Sequence, residues 1–294
     1  MARLSERLPV NVDGEFFVDQ SCIDCETCRQ LAPASFARSP AHGQSFVFRQ
    51  PTGEAEHTLA LAALVACPTS SIGTVHKLDV TPGVRAFPQP IADGVYYCGF
   101  AAEASFGASC YLIRRPGGNV LVDSPRAARP LMRRLEELGG VLTMFLTHRD
   151  DVADHAEFHK RFGCARMLHE DDVSAATRGL ERTPGGSEPI ALADDLLVIP
   201  VPGHTRGSCA LLYRERFLFS GDHLWGDEDD GHLAASRSVC WYSWREQVRS
   251  VEKLLAHRFE WVLPGHGRPF KAASPAAMRA ELSRLLDRMR ARSS

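Results

Sequence analysis

The sequence has no run of apolar residues approaching the roughly 20 needed to cross a bilayer, and no membrane partner is expected. Its opening residues, Met-Ala-Arg-Leu-Ser-Glu-Arg-Leu-Pro, lack the long apolar segment of a secretory signal, so a cytoplasmic location is expected. There is no Lys/Arg run and no basic stripe with interleaved aromatics. The formal net charge is −2, which argues against a nucleic-acid partner. No fixed-period repeat or low-complexity tract is present, which sets aside solenoids and compositionally disordered segments. What remains is a chain of 294 residues, 44% hydrophobic and 24% charged, long enough for two globular domains.

The nine cysteines are odd in number and uneven in spacing, which reads as metal ligands plus buried thiols in a reducing compartment. Three stand as C-x-x-C-x-x-C at Cys22, Cys25 and Cys28, and a remote Cys67-Pro68 completes a set of four. Three thiolates from one tight loop and one from a distant segment are what a cubane iron–sulfur cluster needs. Zinc or free thiols are the alternatives, although zinc ribbons pair two C-x-x-C knuckles and only one extended knuckle occurs here. Around these residues, Val10 to Val18 reads as a strand pair turning at Asp13-Gly14, and Phe46 to Phe48 as another strand. Glu54 to Ala66 has helical spacing and delivers Cys67. Residues 1–80 are thus expected to form a small α+β domain. Residues 81–90, with three Pro and one Gly, are expected to be a linker to a domain at 91–294.

In that second region short apolar runs each end in a polar residue. Val120 to Val122 precedes Asp123, Leu142 to Leu146 precedes Thr147-His148, and Leu196 to Val201 precedes Gly203-His204. Phe217 to Phe219 precedes Gly221-Asp222, and Trp261 to Leu263 precedes Gly265-His266. Helical stretches alternate with them at Ala127 to Leu138, Asp154 to Phe162, Trp244 to Leu255 and Pro275 to Arg290. This is an α/β pattern. In such layered folds ligands gather where strands end, and imidazole and carboxylate are ligands for zinc, iron or manganese. Any one of these residues alone is readily structural; five in series are not.

The two halves resemble two known families. Residues from about 15 to 75 resemble a single-cluster bacterial-type ferredoxin, with Cys22, Cys25, Cys28 and Cys67 matching its ligands. The presence of Cys25 then implies a 4Fe-4S cluster. Residues from about 91 to 270 resemble the metallo-β-lactamase fold, the αββα sandwich of glyoxalase II and its relatives. The resemblance rests on Pro202-Gly203-His204-Thr205-Arg206-Gly207-Ser208, Ser220-Gly221-Asp222 and Pro264-Gly265-His266. It implies that His204 and His266 bind metal, that Asp222 bridges two ions, and that Asp123 supports the site.

The ligand loop of that family, T-H-x-H-x-D-H, is altered to Thr147-His148-Arg149-Asp150-Asp151-Val152-Ala153-Asp154-His155. His148 aligns, Asp150 replaces the second His, and Asp154-His155 match the final pair only across two inserted residues. The expected metal ligands are therefore His148, Asp150, Asp154, His155, His204, Asp222 and His266, holding one or two divalent ions, zinc or iron with manganese as a further candidate. Asp151 reads equally as a ligand or a helix cap. His148, His204 and Asp222 also make the two-imidazole, one-carboxylate set of mononuclear iron sites, which persulfide dioxygenase of the same fold uses.

The resemblance implies a hydrolase of a small thioester, ester or lactone, with Asp154 orienting the attacking water. The fused cluster implies a redox partner protein and keeps open an iron oxidoreductase, or a non-catalytic sensor. The Trp225 to Trp244 loop, with Arg237, Cys240 and Tyr242, is either a substrate floor or packing. His169, His223 and His232 read as structural, and Cys110, Cys164 and Cys209 as core thiols.

Overall fold

The computed structural model describes residues 2–228 and 230–291. The chain divides into two compact units, Met1–Leu142 with Ala153–Cys164, and Thr143–Val152 with Ala165–Ser294. The division does not fall at the proline-rich segment.

The first unit runs β1 (Phe16–Val18), α1 (Thr27–Leu31), β2 (Phe36–Ser39), β3 (Gln44–Val47), α2 (Gly53–Ala66) and β4 (Ile72–Thr74). The hairpin expected over Val10 to Val18 does not form: β1 pairs antiparallel with β4 instead. The cause is Asn11. Its buried amide accepts from the N–H groups of Val18 and Val47 and donates to the carbonyls of Leu8 and Val18, taking positions a partner strand would fill. β2 and β3 form a hairpin, with β3 ending one residue before the expected Phe48.

The expected linker is folded as well. α3 (Thr81–Arg85) has Pro82 in its first turn, where no N–H is needed, and Gly83 lies so close to α2 that a Cβ there would be 2.5 Å from the Leu61 backbone. Next come β5 (Gln89–Ala92), β6 (Val95–Tyr97), β7 (Tyr111–Ile113) and β8 (Val120–Val122), joined in order as an antiparallel meander. α4 (Arg129–Glu137) buries Leu131 and Leu135 at helical spacing, and α5 (His155–Phe162) buries Phe158. The loop between β6 and β7 packs on the cysteine segment. Ala101 N–H donates to Ala66 carbonyl, and Gly107 leaves no room for a Cβ beside Cys25.

The second unit contains the parallel pair β9 (Thr143–Phe145) and β10 (Ala165–Met167). Its larger sheet is built from β11 (Ile190–Ala193), β12 (Leu196–Pro200), β13 (Cys209–Tyr213) and β14 (Phe217–Gly221), all antiparallel neighbours. A short hairpin, β15 (Trp225–Gly226) and β16 (Leu233–Ala234), and α6 (Trp244–Leu254) then lead to β17 (Trp261–Pro264), which lies parallel to β14. β18 (Phe270–Lys271) closes the edge and α7 (Pro275–Ala291) follows. Leu212, Leu218 and Val262 share one apolar cluster with Val251 and Leu254 of α6 and Leu282 and Leu286 of α7. Their neighbours Leu211, Phe217, Phe219 and Leu263 are also buried, so both faces of this sheet are covered. That leaves the strand ends as the places where polar side chains converge.

Candidate functional site

The first candidate lies in the first unit. Cys22, Cys25, Cys28 and Cys67 line one small cavity together with Thr27, Ser45, Thr69 and Ser71. Two left-handed residues, Asp24 (φ 59°) and Glu26 (φ 65°), fold the C-x-x-C-x-x-C loop tightly enough for its thiols to converge. Arg29 clamps that loop from inside: it is 3% exposed, sits 2.7 Å from Asp24 and 3.3 Å from Glu26, and donates to Ser45. α2 ends at Cys67 because Pro68 cannot continue it, and the Ser71 N–H donates to Cys67 Sγ at 3.3 Å. Burial pushes the Cys22, Cys25 and Cys28 thiols up, and the neighbouring cysteines push them further in the same direction. A cationic group seated among them reverses that preference, so four converging buried thiols fit an iron–sulfur cluster.

The second candidate lies in the second unit. The parallel register of β14 and β17 sets Gly221 opposite Pro264, so Asp222 and His266 emerge side by side. β9 leads into His148 and β12 into His204, and Cys209 N–H donates to the Thr147 carbonyl at 2.8 Å, drawing those two loops together. The His148 and His204 rings stand perpendicular, 4.7 Å apart. Each Nε2 is buried, makes no hydrogen bond, and lies 3.7 Å from Asp222 Oδ2. Asp150 Oδ2 lies 3.9 Å from His148 Nε2 and 3.4 Å from His204 Nε2. Donors around a tetrahedral ion with bonds of about 2.1 Å are about 3.4 Å apart, so His148, Asp150 and His204 come near the spacing a divalent ion requires.

The histidine rings are held from behind. His204 Nδ1 donates to the Val239 carbonyl, and His148 Nδ1 is 2.9 Å from Thr147 Oγ1, so both Nε2 atoms face inward. Burial holds His148 down to about 4, against the pull of Asp222. Burial also pulls on His204, but Asp150 and Asp222 outweigh it and leave its pKa raised. Asp222 is half-buried, which raises its carboxyl, yet the His266 and His148 imidazoles hold it far below the usual range.

Two glycines make the approach possible. A Cβ at Gly221 would strike Thr147, and one at Gly265 would lie 2.7 Å from both Asp151 and Asp222.

A residue passed over by the sequence reading binds the ligand loops together. Asp172, 1% exposed, accepts from Arg149 N–H at 3.0 Å, Thr205 hydroxyl at 2.5 Å and Gly207 N–H at 2.8 Å. The His148 loop and the His204 loop thus share one buried carboxylate. A Cβ at Gly207 would collide with it. The signal was available: Asp172 follows β10 as the other site residues follow their strands.

Not every expected ligand joins the donor groups. Among the described residues, the groups whose donors lie within 4.8 Å of one another are His148, Asp150 and His204, and His148, Asp151 and Asp222. Asp151 is fully buried and does not cap a helix, since α5 begins only at His155. His266 reaches the centre through Asp222, its Nδ1 2.9 Å from each carboxylate oxygen. Asp154 and His155 belong to neither group: Asp154 Oδ2 accepts the Ala127 N–H at 2.8 Å, and His155 is the buried first residue of α5.

Two of the three histidines expected to be structural have partners outside the centre. His169 accepts from Asp171 N–H and bonds the Gly186 carbonyl, and His232 pairs with Glu281. His223 is enclosed and held neutral by burial, at about 3. Cys110, Cys164 and Cys209 are buried, as expected of core thiols.

Comparison with known proteins supports both halves. Residues 18–74 match the model of the 4Fe-4S single cluster domain of Ferredoxin I. A hydroxyacylglutathione hydrolase of Rhizobium meliloti (strain 1021) is 34% identical over 116 residues, covering 38% of this chain and 44% of the relative. One from Bradyrhizobium sp. (strain BTAi1 / ATCC BAA-1182) is 31% identical over 121 residues, covering 39% of this chain and 47% of the relative. The chain thus spans about half the length of the curated relatives it matches. The metallo-beta-lactamase DIM-1 superposes with a TM-score of 0.50 at 15% identity, over 66% of this chain and 95% of that one. The chain therefore joins a single-cluster 4Fe-4S domain to a metallo-β-lactamase fold.

Proposed function

We propose that this chain is a metal-dependent hydrolase of a small-molecule thioester, ester or lactone, with an appended 4Fe-4S cluster that connects it to a redox partner protein. The observation that carries the proposal is the pair of buried imidazole nitrogens, His148 Nε2 and His204 Nε2. They make no hydrogen bond and face the same Asp222 oxygen at 3.7 Å. His148, His204, Asp150 and Asp222 would hold one divalent ion, zinc or iron, with manganese the next candidate. Such an ion supplies Lewis acidity toward a carbonyl and a nucleophile at neutral pH.

The residues supply the rest. Thr147 and the Val239 carbonyl hold the two rings, and His266 holds Asp222 against the buried pair. The side chain of Asp150 is 47% exposed and is the acid through which the centre meets solvent. In the net reaction, water adds to the acyl carbon, the C–S or C–O bond breaks, and the leaving group takes up a proton. Cys22, Cys25, Cys28 and Cys67 hold the cluster, and the nine free thiols suit a reducing, cytoplasmic setting. Among the described residues no helix is long and apolar enough to cross a membrane.

Hydroxyacylglutathione thioesters are the first substrates to test, because the sequence relatives bear that name. Thiol release from thioesters that depends on added metal and vanishes in His204→Ala supports the reading; no hydrolysis across thioester, ester and lactone panels refutes it. A second reading, a mononuclear iron oxidoreductase, is favoured by the two-imidazole, one-carboxylate set of His148, His204 and Asp222 beside the fused cluster.

A further inference from the structure

The segment Val239 to Ser243 is fastened to the His204 loop along its length. His204 Nδ1 donates to Val239 carbonyl, and Cys240 Sγ donates to Gly203 carbonyl at 3.1 Å. Trp241 N–H donates to His204 carbonyl at 2.9 Å, Tyr242 N–H to the same carbonyl at 3.0 Å, and Ser243 N–H to Gly203 carbonyl at 3.0 Å. Ser243 then caps α6, accepting the Glu246 N–H. The strap is therefore rigid, fixed at one end by a metal-facing histidine and at the other by a helix.

On this strap sit Trp241 at 60% exposure and Tyr242 at 50%. The Trp241 ring lies 6.0 Å from the His204 ring, tilted by 57°. A tryptophan serving as packing is covered, and this one is not. Two adjacent large aromatics left open, on backbone that cannot relax to bury them, mark a surface kept for a ligand. The ring stands beside the imidazole whose other nitrogen faces Asp150 and Asp222.

We infer that Trp241 and Tyr242 form an aromatic platform at the mouth of the metal centre, and that the substrate carries a planar or apolar group within a few bonds of the carbonyl that is hydrolysed. The inference rests on the hydrolytic reading for the nature of that bond only. The platform selects substrates through differential contact with the ring faces, which aromatic partners gain and an acetyl group does not. The strap supplies the preorganisation that lets two side chains act without an ordering cost.

The experiment compares S-phenylacetyl and S-acetyl thioesters of one thiol, with benzyl and ethyl thioacetates to test the leaving-group side. In Trp241→Ala the aromatic substrate of one of these pairs loses kcat/KM about 10-fold more than its small counterpart, chiefly through KM, and Trp241→Phe restores most of the difference. A binding readout stands apart from turnover. The 4-nitrophenylacetate anion quenches tryptophan fluorescence saturably in the wild type, and phenylacetate, but not acetate, reverses the quench. Equal losses on aromatic and small substrates, or none, overturn the platform. If the wild type hydrolyses no substrate, the hydrolytic reading falls, and binding alone decides the platform: a quench that saturates and is reversed by phenylacetate upholds it, and a quench that rises linearly or is absent overturns it.

Discussion

The Asp172 carboxylate accepts the Thr205 hydroxyl at 2.5 Å while also accepting the backbone N–H of Arg149 and of Gly207. One buried acid thereby fixes the distance between the loop that carries His148 and Asp150 and the loop that carries His204. The arrangement explains why Thr205 and Gly207 accompany the histidine in the sequence: one supplies a hydroxyl to the brace and the other the space for it.

Replacing Asp172 by Ala is expected to weaken metal binding by about 10–100-fold, the usual cost of removing a group that orients ligands. Asp172→Asn keeps one acceptor oxygen and is expected to lose less. Competition with a chromophoric chelator measures both, and equal affinities in wild type and Asp172→Ala would remove the brace from the account.

Metal binding should also depend on pH with a definite sign. Burial holds His148 down to about 4, so it offers a free lone pair at neutral pH, whereas Asp150 and Asp222 keep His204 protonated above the usual imidazole range. A metal must displace that proton. Affinity is expected to rise by about tenfold per pH unit until His204 deprotonates, then level off. Asp150→Asn removes the partner that raises His204 and should move the plateau to lower pH, read by titration calorimetry in two buffers of different ionisation enthalpy.

Asp150→His restores the second imidazole of the resembled ligand loop and softens the site. The variant is expected to retain a larger share of zinc than the wild type when both are loaded from an equimolar zinc, iron and manganese mixture. Elemental analysis of the dialysed proteins gives the ratio; unchanged selectivity would mean that Asp150 does not contact the ion.

In the cysteine domain, Arg29→Gln leaves Asp24 and Glu26 without their buried clamp while sparing every thiol. Iron per chain and the visible absorption of the cluster are expected to fall, with the second centre still loaded. Cys25→Ala should abolish the cluster absorption outright, again with the second metal retained.

Much of this was legible from residue types at strand ends. His148, His204 and Asp222 follow apolar runs in the sequence and meet in space, because the ends of β9, β12 and β14 converge. What was not legible came from interactions that local pattern does not encode. Asn11 satisfies the Val47 N–H, 36 residues away, so the expected hairpin gives way to a β1–β4 pair. Gly83 marks close helix contact in a segment whose prolines suggested an open linker. Asp154 and His155 matched the ligand loop only with two residues inserted, and the structure gives Asp154 a backbone N–H as its partner.

A hydrolytic centre at His148, His204, Asp150 and Asp222 needs water alone to break its substrate. The direct measurement is thiol release from a thioester under strict exclusion of oxygen, with the cluster held first oxidised and then reduced. Release is expected in both states, stoichiometric with carboxylate formed and lost in His148→Ala. Release that requires oxygen or electrons from the cluster would contradict it.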